Sequence, residues 1–253
     1  MKTDAIILKS PEEIERMRGA NLIVAEILQV LKDHVRPGAS TLDLEAVAEA
    51  ETRKRGAVPA FKGYSGYPWC LCTSLNNEVV HGMPSKNKVL KKGDILSMDF
   101  GVLYKGFYGD SAVTVPVGEV APEALHLINA AAGSLERAIE AARPGKRLMD
   151  ISFAVQCYVE GEGFSVVRDF VGHGIGRSLH EPPQVPNFGT PGTGIKLKPG
   201  MVLAIEPMIN EGRFETRVLD DGWTAVTVDG KLSAHFEHTV AITEKGPDVL
   251  SKL

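Results

Sequence analysis

Leu90-Lys91-Lys92-Gly93-Asp94-Ile95-Leu96-Ser97-Met98-Asp99 and Leu197-Lys198-Pro199-Gly200-Met201-Val202-Leu203-Ala204-Ile205-Glu206 are two versions of one pattern: a basic glycine turn, an apolar strand and a terminal carboxylate. They stand 107 residues apart, and the same offset relates Arg36-Pro37-Gly38 to Arg143-Pro144-Gly145, Asp43 to Asp150 and Gly56 to Gly163. One offset over four separated matches indicates a duplicated half. A single domain over residues 1–253 is expected, with pseudo-symmetric halves at about 11–118 and 119–246. Asp99 and Glu206 then occupy related positions about an internal axis, where two acids suit metal ions.

Working outward, each carboxylate-bearing strand follows a helix pair. Ser10 caps a helix with Pro11 at its first position and Glu13 returning to the cap, and apolar residues at helical spacing carry it to Arg36-Pro37-Gly38. A second helix is expected from about Thr41 to Arg55, stopped by Gly56. The second half repeats the plan, with helices near 122–142 and 148–160. Helices paired in this way cover one face of a sheet, an α+β arrangement.

The strands themselves place the acids. Ile95–Val102, a turn near Tyr104-Lys105-Gly106 and a return strand ending at Val115 form a hairpin. With a two-residue turn, Asp99 and Asp110 point to the same sheet face, directly or diagonally opposed. Met201–Met208 and Ala234–Ile242 have the same strand character. Asp110 to Glu237 exceeds the repeat offset by 20 residues, so the connection carrying Asp220-Asp221-Gly222-Trp223 reads as an insertion.

Composition narrows the function classes. A hydrophobic fraction of 43% supports a sizeable core, yet no segment approaches the 18 apolar residues of a membrane span. Ala5-Ile6-Ile7-Leu8 is too short for a secretory apolar core, so a cytoplasmic protein is expected. A net charge of -4 argues against nucleic acid as principal partner. Cys70, Cys72 and Cys157 are too few for a thiolate zinc site or a disulfide framework, and Cys70 and Cys157 read as buried reduced thiols.

Asp99, Asp110, Glu206 and Glu237 lie in or beside apolar strands, where an ionised carboxylate must be paired, hydrogen-bonded or metal-bound. His173 sits in Val171-Gly172-His173-Gly174-Ile175-Gly176, whose glycines permit close approach. Singly, each reads as a turn or salt-bridge residue; together, four acids and one imidazole over both halves favour a di-metal site. Hard oxygen donors with a single imidazole suit Mn(II), Fe(II), Co(II) or catalytic Zn(II). Two such ions activate water while polarising a carbonyl, which is hydrolytic chemistry. His34 and His126 read as surface residues and His238 as structural. His235 shares the Glu237 strand face and reads either as a partner of the ligands or as a steric change.

Asn76-Asn77-Glu78-Val79-Val80-His81-Gly82-Met83-Pro84, Asp99 with Gly109-Asp110, Gly172-His173-Gly174-Ile175-Gly176, His180-Glu181-Pro182-Pro183, Ile205-Glu206-Pro207 and Phe236-Glu237-His238-Thr239 resemble the type I methionine aminopeptidase family, in the expected order over about residues 10–245. The resemblance implies the pita-bread fold: two pseudo-symmetric halves forming a curved antiparallel sheet with helices outside. It implies that Asp99 chelates one of two divalent ions, Asp110 and Glu237 bridge both, and His173 and Glu206 complete the other shell. A metal-bridging hydroxide would attack the scissile carbonyl, with Glu206 as proton acceptor. His81 would lie near the scissile nitrogen, and His180 would hydrogen-bond the substrate and stabilise charge on its carbonyl oxygen.

For the pocket that takes methionine, the resemblance points to Phe61, Tyr64, Tyr67, Cys72, His81, His180 and Trp223, aromatic faces and a thiol that suit a thioether. Leu179 departs from the Phe frequent before the catalytic histidine of the family, which implies a roomier pocket. A monovalent cation near Asn76 and Ser233 is also implied. The expected partner is the N-terminal methionine of nascent polypeptides with a small second residue, at the ribosome, and a monomer without membrane contact is expected. An X-Pro aminopeptidase or prolidase with the same ligands is the competing enzyme, although those usually carry a large N-terminal domain. A non-catalytic binding module typically loses ligands retained here. A structural domain using the acids in salt bridges would bind no transition metal.

Overall fold

The computed structural model describes residues 5–253. Four helices, α1 (Pro11–His34), α2 (Thr41–Lys54), α3 (Pro122–Ala141) and α4 (Leu148–Gly161), lie where the sequence places them. The strands of the first half are β1 (Val58–Pro59), β2 (Leu71–Leu75), β3 (Glu78–Val80), β4 (Ile95–Tyr104) and β5 (Phe107–Pro116). Those of the second are β6 (Ser165–Val166), β7 (Gly172–Gly174), β8 (Glu181–Val185), β9 (Val202–Ile205), β10 (Met208–Asn210), β11 (Thr216–Val218), β12 (Ala225–Thr227), β13 (Ser233–His235), β14 (His238–Thr243) and β15 (Gly246–Val249).

Local chemistry sets the boundaries. Ser10 Oγ accepts the Glu13 N–H while Glu13 accepts the Ser10 N–H at 2.9 Å, a reciprocal cap that satisfies two donors otherwise orphaned at the start of α1. Beyond α2, Gly56 takes φ +66°, a left-handed conformation that stops the helix. The 107-residue offset also holds in the backbone. Ser40 bridges Val89 as Arg147 bridges Lys196, and Gly38 N–H donates to Leu90 O as Gly145 N–H donates to Leu197 O.

Each helix pair covers its own strands. Val24, Ile27, Leu31, Leu44 and Ala48 of α1 and α2 pack with Leu96, Met98, Phe100 and Val102, the even-numbered face of β4. Leu127, Leu135, Ile151 and Val155 of α3 and α4 pack with Leu203, Ile205, Ile209 and Val240. Burying each of these larger aliphatic side chains contributes roughly 1.5–3 kcal/mol. The period of two then turns Ser97, Asp99 and Gly101 to the opposite face, away from the helices.

All strand pairs are antiparallel: β1 and β2 line one edge of β4 and β5 the other, and the largest sheet runs β15-β14-β9-β7-β8. The two predicted strands of the second half are each interrupted. Met201–Met208 breaks at Glu206-Pro207 and Ala234–Ile242 at Phe236-Glu237. His238 pairs with Ile205 and His235 with Met208, so one register continues across the gap and sets Glu206 opposite Glu237. Pro207 has no N–H for a ladder, and Glu237 N–H turns instead to Ala112 O of β5 at 2.9 Å. The insertion is the β11–β12 hairpin, and β12 pairs with β3. Cys70 and Cys72 are buried, but Cys157 is exposed, contrary to expectation, because it shares an outer face of α4 with exposed Phe153 and Glu160.

Candidate active site and metal centre

The hairpin turn decides the first pair of acids. Lys105 (φ +49°) and Gly106 (φ +82°) make the tight two-residue turn, which pairs Tyr104 with Phe107, Gly101 with Asp110 and Asp99 with Ala112. Asp99 and Asp110 therefore stand diagonally on one face. Gly101 is required opposite Asp110, since a Cβ there would lie 2.9 Å from Phe61 Cε1 and 3.1 Å from Asp110 Oδ1.

The second half brings its ligands to the same place. Ser111 Oγ–H donates to Glu237 O at 2.6 Å and Thr239 Oγ1–H to Asp110 O at 2.9 Å, which stitches β5 to the interrupted strand and sets Glu237 beside Asp110. His173 pairs with Ala204 on β9, while Gly172 leaves space for Glu206, whose Cγ would sit 3.3 Å from a Cβ at that position. The His173 Nδ1–H donates to Gly174 O at 2.9 Å, leaving the Nε2 lone pair free and 3.5 Å from Glu206 Oε1.

A metal fits these residues. Donor atoms of Asp110, His173 and Glu237 lie within 4.8 Å of one another. Asp99 Oδ1, Asp110 Oδ1 and Glu237 Oε1 are buried without any hydrogen-bond partner, a costly arrangement that a cation resolves. Burial lifts Asp99 to about 7 and Glu206 to about 8. It also pushes Asp110 and Glu237 up, and neighbouring carboxylates add to both. Burial lowers His173 to about 3, so its imidazole is neutral and able to ligate. The donor chemistry, carboxylate oxygens with imidazole, suits a first-row divalent ion.

A cavity of about 310 Å³ opens onto this cluster and is lined by Asp99, Asp110, His173, Glu206 and Glu237 together with Phe61, Tyr64, Tyr67, Cys72, His81, His180 and Trp223. All twelve residues named from sequence thus meet in one place. His180 Nδ1 hydrogen-bonds the Tyr64 hydroxyl at 2.7 Å, and its ring centroid lies 4.2 Å from that of His173. His81 adopts φ +59°, an uncommon conformation for a residue with a Cβ, and burial lowers it to about 4. Its ring meets Phe170 edge-on at 5.5 Å and Trp223 at 6.4 Å. Asn76 O accepts the Ser233 N–H at 2.9 Å, so the two residues expected near a monovalent cation are neighbours.

Sequence reading missed Phe170, Met208 and Asp169, which also line the cavity. Phe170 precedes the Gly172-His173 motif by two residues in a chain with 6% aromatics, a usable signal. Met208 gives none, because its strand position looks like core. Leu179 lines the cavity beside His180 and is buried. His235 is 1% exposed, and its Nε2, without a hydrogen-bond partner, lies 3.5 Å from Glu206 Oε2.

Comparison with known proteins agrees with this geometry. The sequence model of metallopeptidase family M24 matches residues 15–244. Methionine aminopeptidase 1 of Bacillus subtilis is 52% identical over 98% of the chain and 100% of its own length, and a methionine aminopeptidase of Clostridium perfringens is 55% identical over 97% of the chain and 98% of its own. The crystal structure of a methionine aminopeptidase from Thermotoga maritima superposes with a TM-score of 0.97 at 51% identity, covering 98% of this chain and all of that one. That full-length likeness confirms the pita-bread architecture and favours these relatives over the X-Pro peptidases. The chain belongs to metallopeptidase family M24, among its methionine aminopeptidases.

Proposed function

We propose that the chain removes the initiator methionine of nascent polypeptides, preferring a small second residue, through the cluster at the floor of the cavity. The observation that carries this reading is the convergence of four carboxylates, Asp110 and Glu237 buried and Asp99 and Glu206 half-buried, and one neutral imidazole, with unpartnered oxygens, below a pocket of aromatic faces and one thiol. Asp99, Asp110, His173, Glu206 and Glu237 would hold two divalent ions among Co, Mn, Fe or Zn. Bound there, such ions supply Lewis-acid polarisation of a carbonyl and a lowered pKa for water.

The protein groups do the rest. Phe61, Tyr64, Tyr67, Cys72 and Trp223 receive the unbranched thioether side chain, for which polarisable and aromatic surfaces are good partners. The Tyr67 hydroxyl donates to Leu71 O at 3.1 Å or Gly82 O at 3.2 Å, which fixes its ring edge-on to Trp223 at 5.1 Å between centroids. Glu206, a carboxylate adjoining the attacking water, accepts its proton and returns it to the leaving amine. His81, held neutral, lies toward the scissile nitrogen. His180, oriented by Tyr64, donates to the substrate carbonyl oxygen as it gains charge. Leu179 leaves more room beside His180 than a phenylalanine would. The Asn76–Ser233 neighbourhood would take a monovalent cation. A cytoplasmic monomer acting at the ribosome completes the reading, and no described helix is long and apolar enough to cross a membrane.

The test is an anaerobic titration of metal-free protein with Fe(II), Mn(II), Co(II) and Zn(II), assayed on Met-Ala-Ser with Gly-Pro as competitor substrate. Turnover of Met-Ala-Ser should appear with added metal and exceed that of Gly-Pro. Glu206→Gln should lower kcat by about 10²–10⁴. Full activity in that variant would remove Glu206 from the proton transfer, and faster cleavage of Gly-Pro would overturn the substrate assignment.

A further inference from the structure

We propose that Lys9 is a positioning residue for the reaction: paired with Glu181, it fixes the loop that presents His180 to the substrate. This rests on the reading above that His180 touches the substrate. Lys9 and Glu181 are 172 residues apart in sequence and form an ion pair with both side chains 4% exposed. Neither lines the cavity. Glu181 is joined to His180 by one peptide bond, so what fixes Glu181 bears directly on His180.

The loop is wrapped around this carboxylate. Glu181 Oε2 takes the Lys9 ammonium, while Oε1 accepts the N–H groups of Arg177 at 2.8 Å and Ser178 at 3.2 Å. Gly176 allows the approach, because a Cβ at that position would sit 2.8 Å from Glu181 Oε1 and collide with the Lys9 stem. Gly176 O accepts the Tyr108 N–H at 2.9 Å, which closes the loop against β5. Lys9 is itself anchored. Its N–H donates to Gly200 O at 2.7 Å and its ammonium to Ile7 O at 3.0 Å. A second tether, Arg177 to Glu13 at 3.0 Å, is more exposed and correspondingly weaker.

A buried ion pair adds little net stability over an apolar pair of the same shape, but its directional donors admit few alternative geometries. The loop is therefore held in the arrangement that gives both Glu181 oxygens their donors. In that arrangement the His180 ring stands 4.2 Å from the His173 ring and hydrogen-bonds Tyr64. Replacing the Lys9 cation leaves Glu181 buried without its counter-charge, so the carboxylate turns toward water and the loop loses its fixed centre. Catalysis responds steeply to such shifts, since a misplacement of about 1 Å costs on the order of 10²-fold.

The experiment is a double-mutant cycle on the metal-loaded enzyme with Met-Ala-Ser: wild type, Lys9→Met, His180→Ala and the double variant, each with kcat and KM measured separately and metal content checked. Acting through His180, Lys9→Met should lower kcat/KM by about tenfold or more in the wild-type background. In the His180→Ala background it should change it by less than about twofold. Equal losses in both backgrounds would mark a general structural role and overturn the proposal, as would no loss in either. His180→Ala at the wild-type rate would overturn the substrate role of His180 and this proposal with it, whereas a slow His180→Ala beside an unimpaired Lys9→Met overturns the proposal alone. Where Lys9→Met does not fold, Lys9→Met/Glu181→Met, which leaves no unpaired buried charge, takes its place in the cycle with the same expected and overturning results.

Discussion

Glu206 is flanked by two imidazoles, His173 Nε2 at 3.5 Å from one oxygen and His235 Nε2 at 3.5 Å from the other. The sequence left His235 open between a ligand partner and a steric change, and its buried, unpartnered nitrogen favours the former. In the tautomer with the proton on Nε2, an approach closer than the present 3.5 Å would let His235 donate to Glu206 Oε2. Removing that donor by His235→Phe should weaken metal binding about 10- to 100-fold, the range seen when groups that orient metal ligands are lost. Titration of the chelated protein with Co(II), followed by visible absorption, checks this. Affinity unchanged from wild type would reduce His235 to a core residue.

Between elements, the decisive contact is α1 against β5. Gly109 lies against the backbone of α1, where a Cβ would meet Ala20 C and Asn21 N at 2.8 Å, and the next residue is Asp110. Asn21 Oδ1 then accepts the Asp110 N–H at 3.3 Å. Neither backbone can yield cheaply, so Gly109→Ala should destabilise the protein by about 1–3 kcal/mol in urea unfolding. An unchanged midpoint would show that the helix rides over the added methyl. The hairpin was readable in advance because strand parity and a two-residue turn leave one answer for Asp99 and Asp110. The breaks at Glu206-Pro207 and Phe236-Glu237 were not, because Val202–Ile205 and His238–Thr243 are apolar enough to read as uninterrupted strands. Pro207 hinted at one break, but only the pull of Ala112 O on Glu237 N–H creates the other.

For the whole molecule, the site is a source of instability until it is filled. In metal-free protein burial raises Asp99 to about 7 and Glu206 to about 8, whereas both ionise near 4 in an unfolded chain. The folded state then holds more protons than the unfolded one between about pH 4 and 8, so stability falls as pH rises through that span. The buried imidazoles, all pushed down, act in the opposite sense but only below about 6.5, where the unfolded chain begins to bind protons that the fold refuses. The interval from about 6.5 to 8 isolates the carboxylates. Chelated protein should lose Tm across it, and saturating Mn(II) should flatten the profile; a flat profile without metal would show that the acids find another counter-charge. By itself the sequence determined the helix pairs, the 107-residue correspondence and the sheet face shared by Asp99 and Asp110, because caps, strand period and turn chemistry act over a few residues, whereas the aromatic pocket residues followed from the family resemblance. Only the tertiary structure decided that Glu206 faces Glu237 across a broken ladder, that His235 turns to Glu206, and that Lys9 meets Glu181. Those contacts join segments far apart in the chain, and burial selects them by leaving a polar atom no partner except the one the fold brings to it.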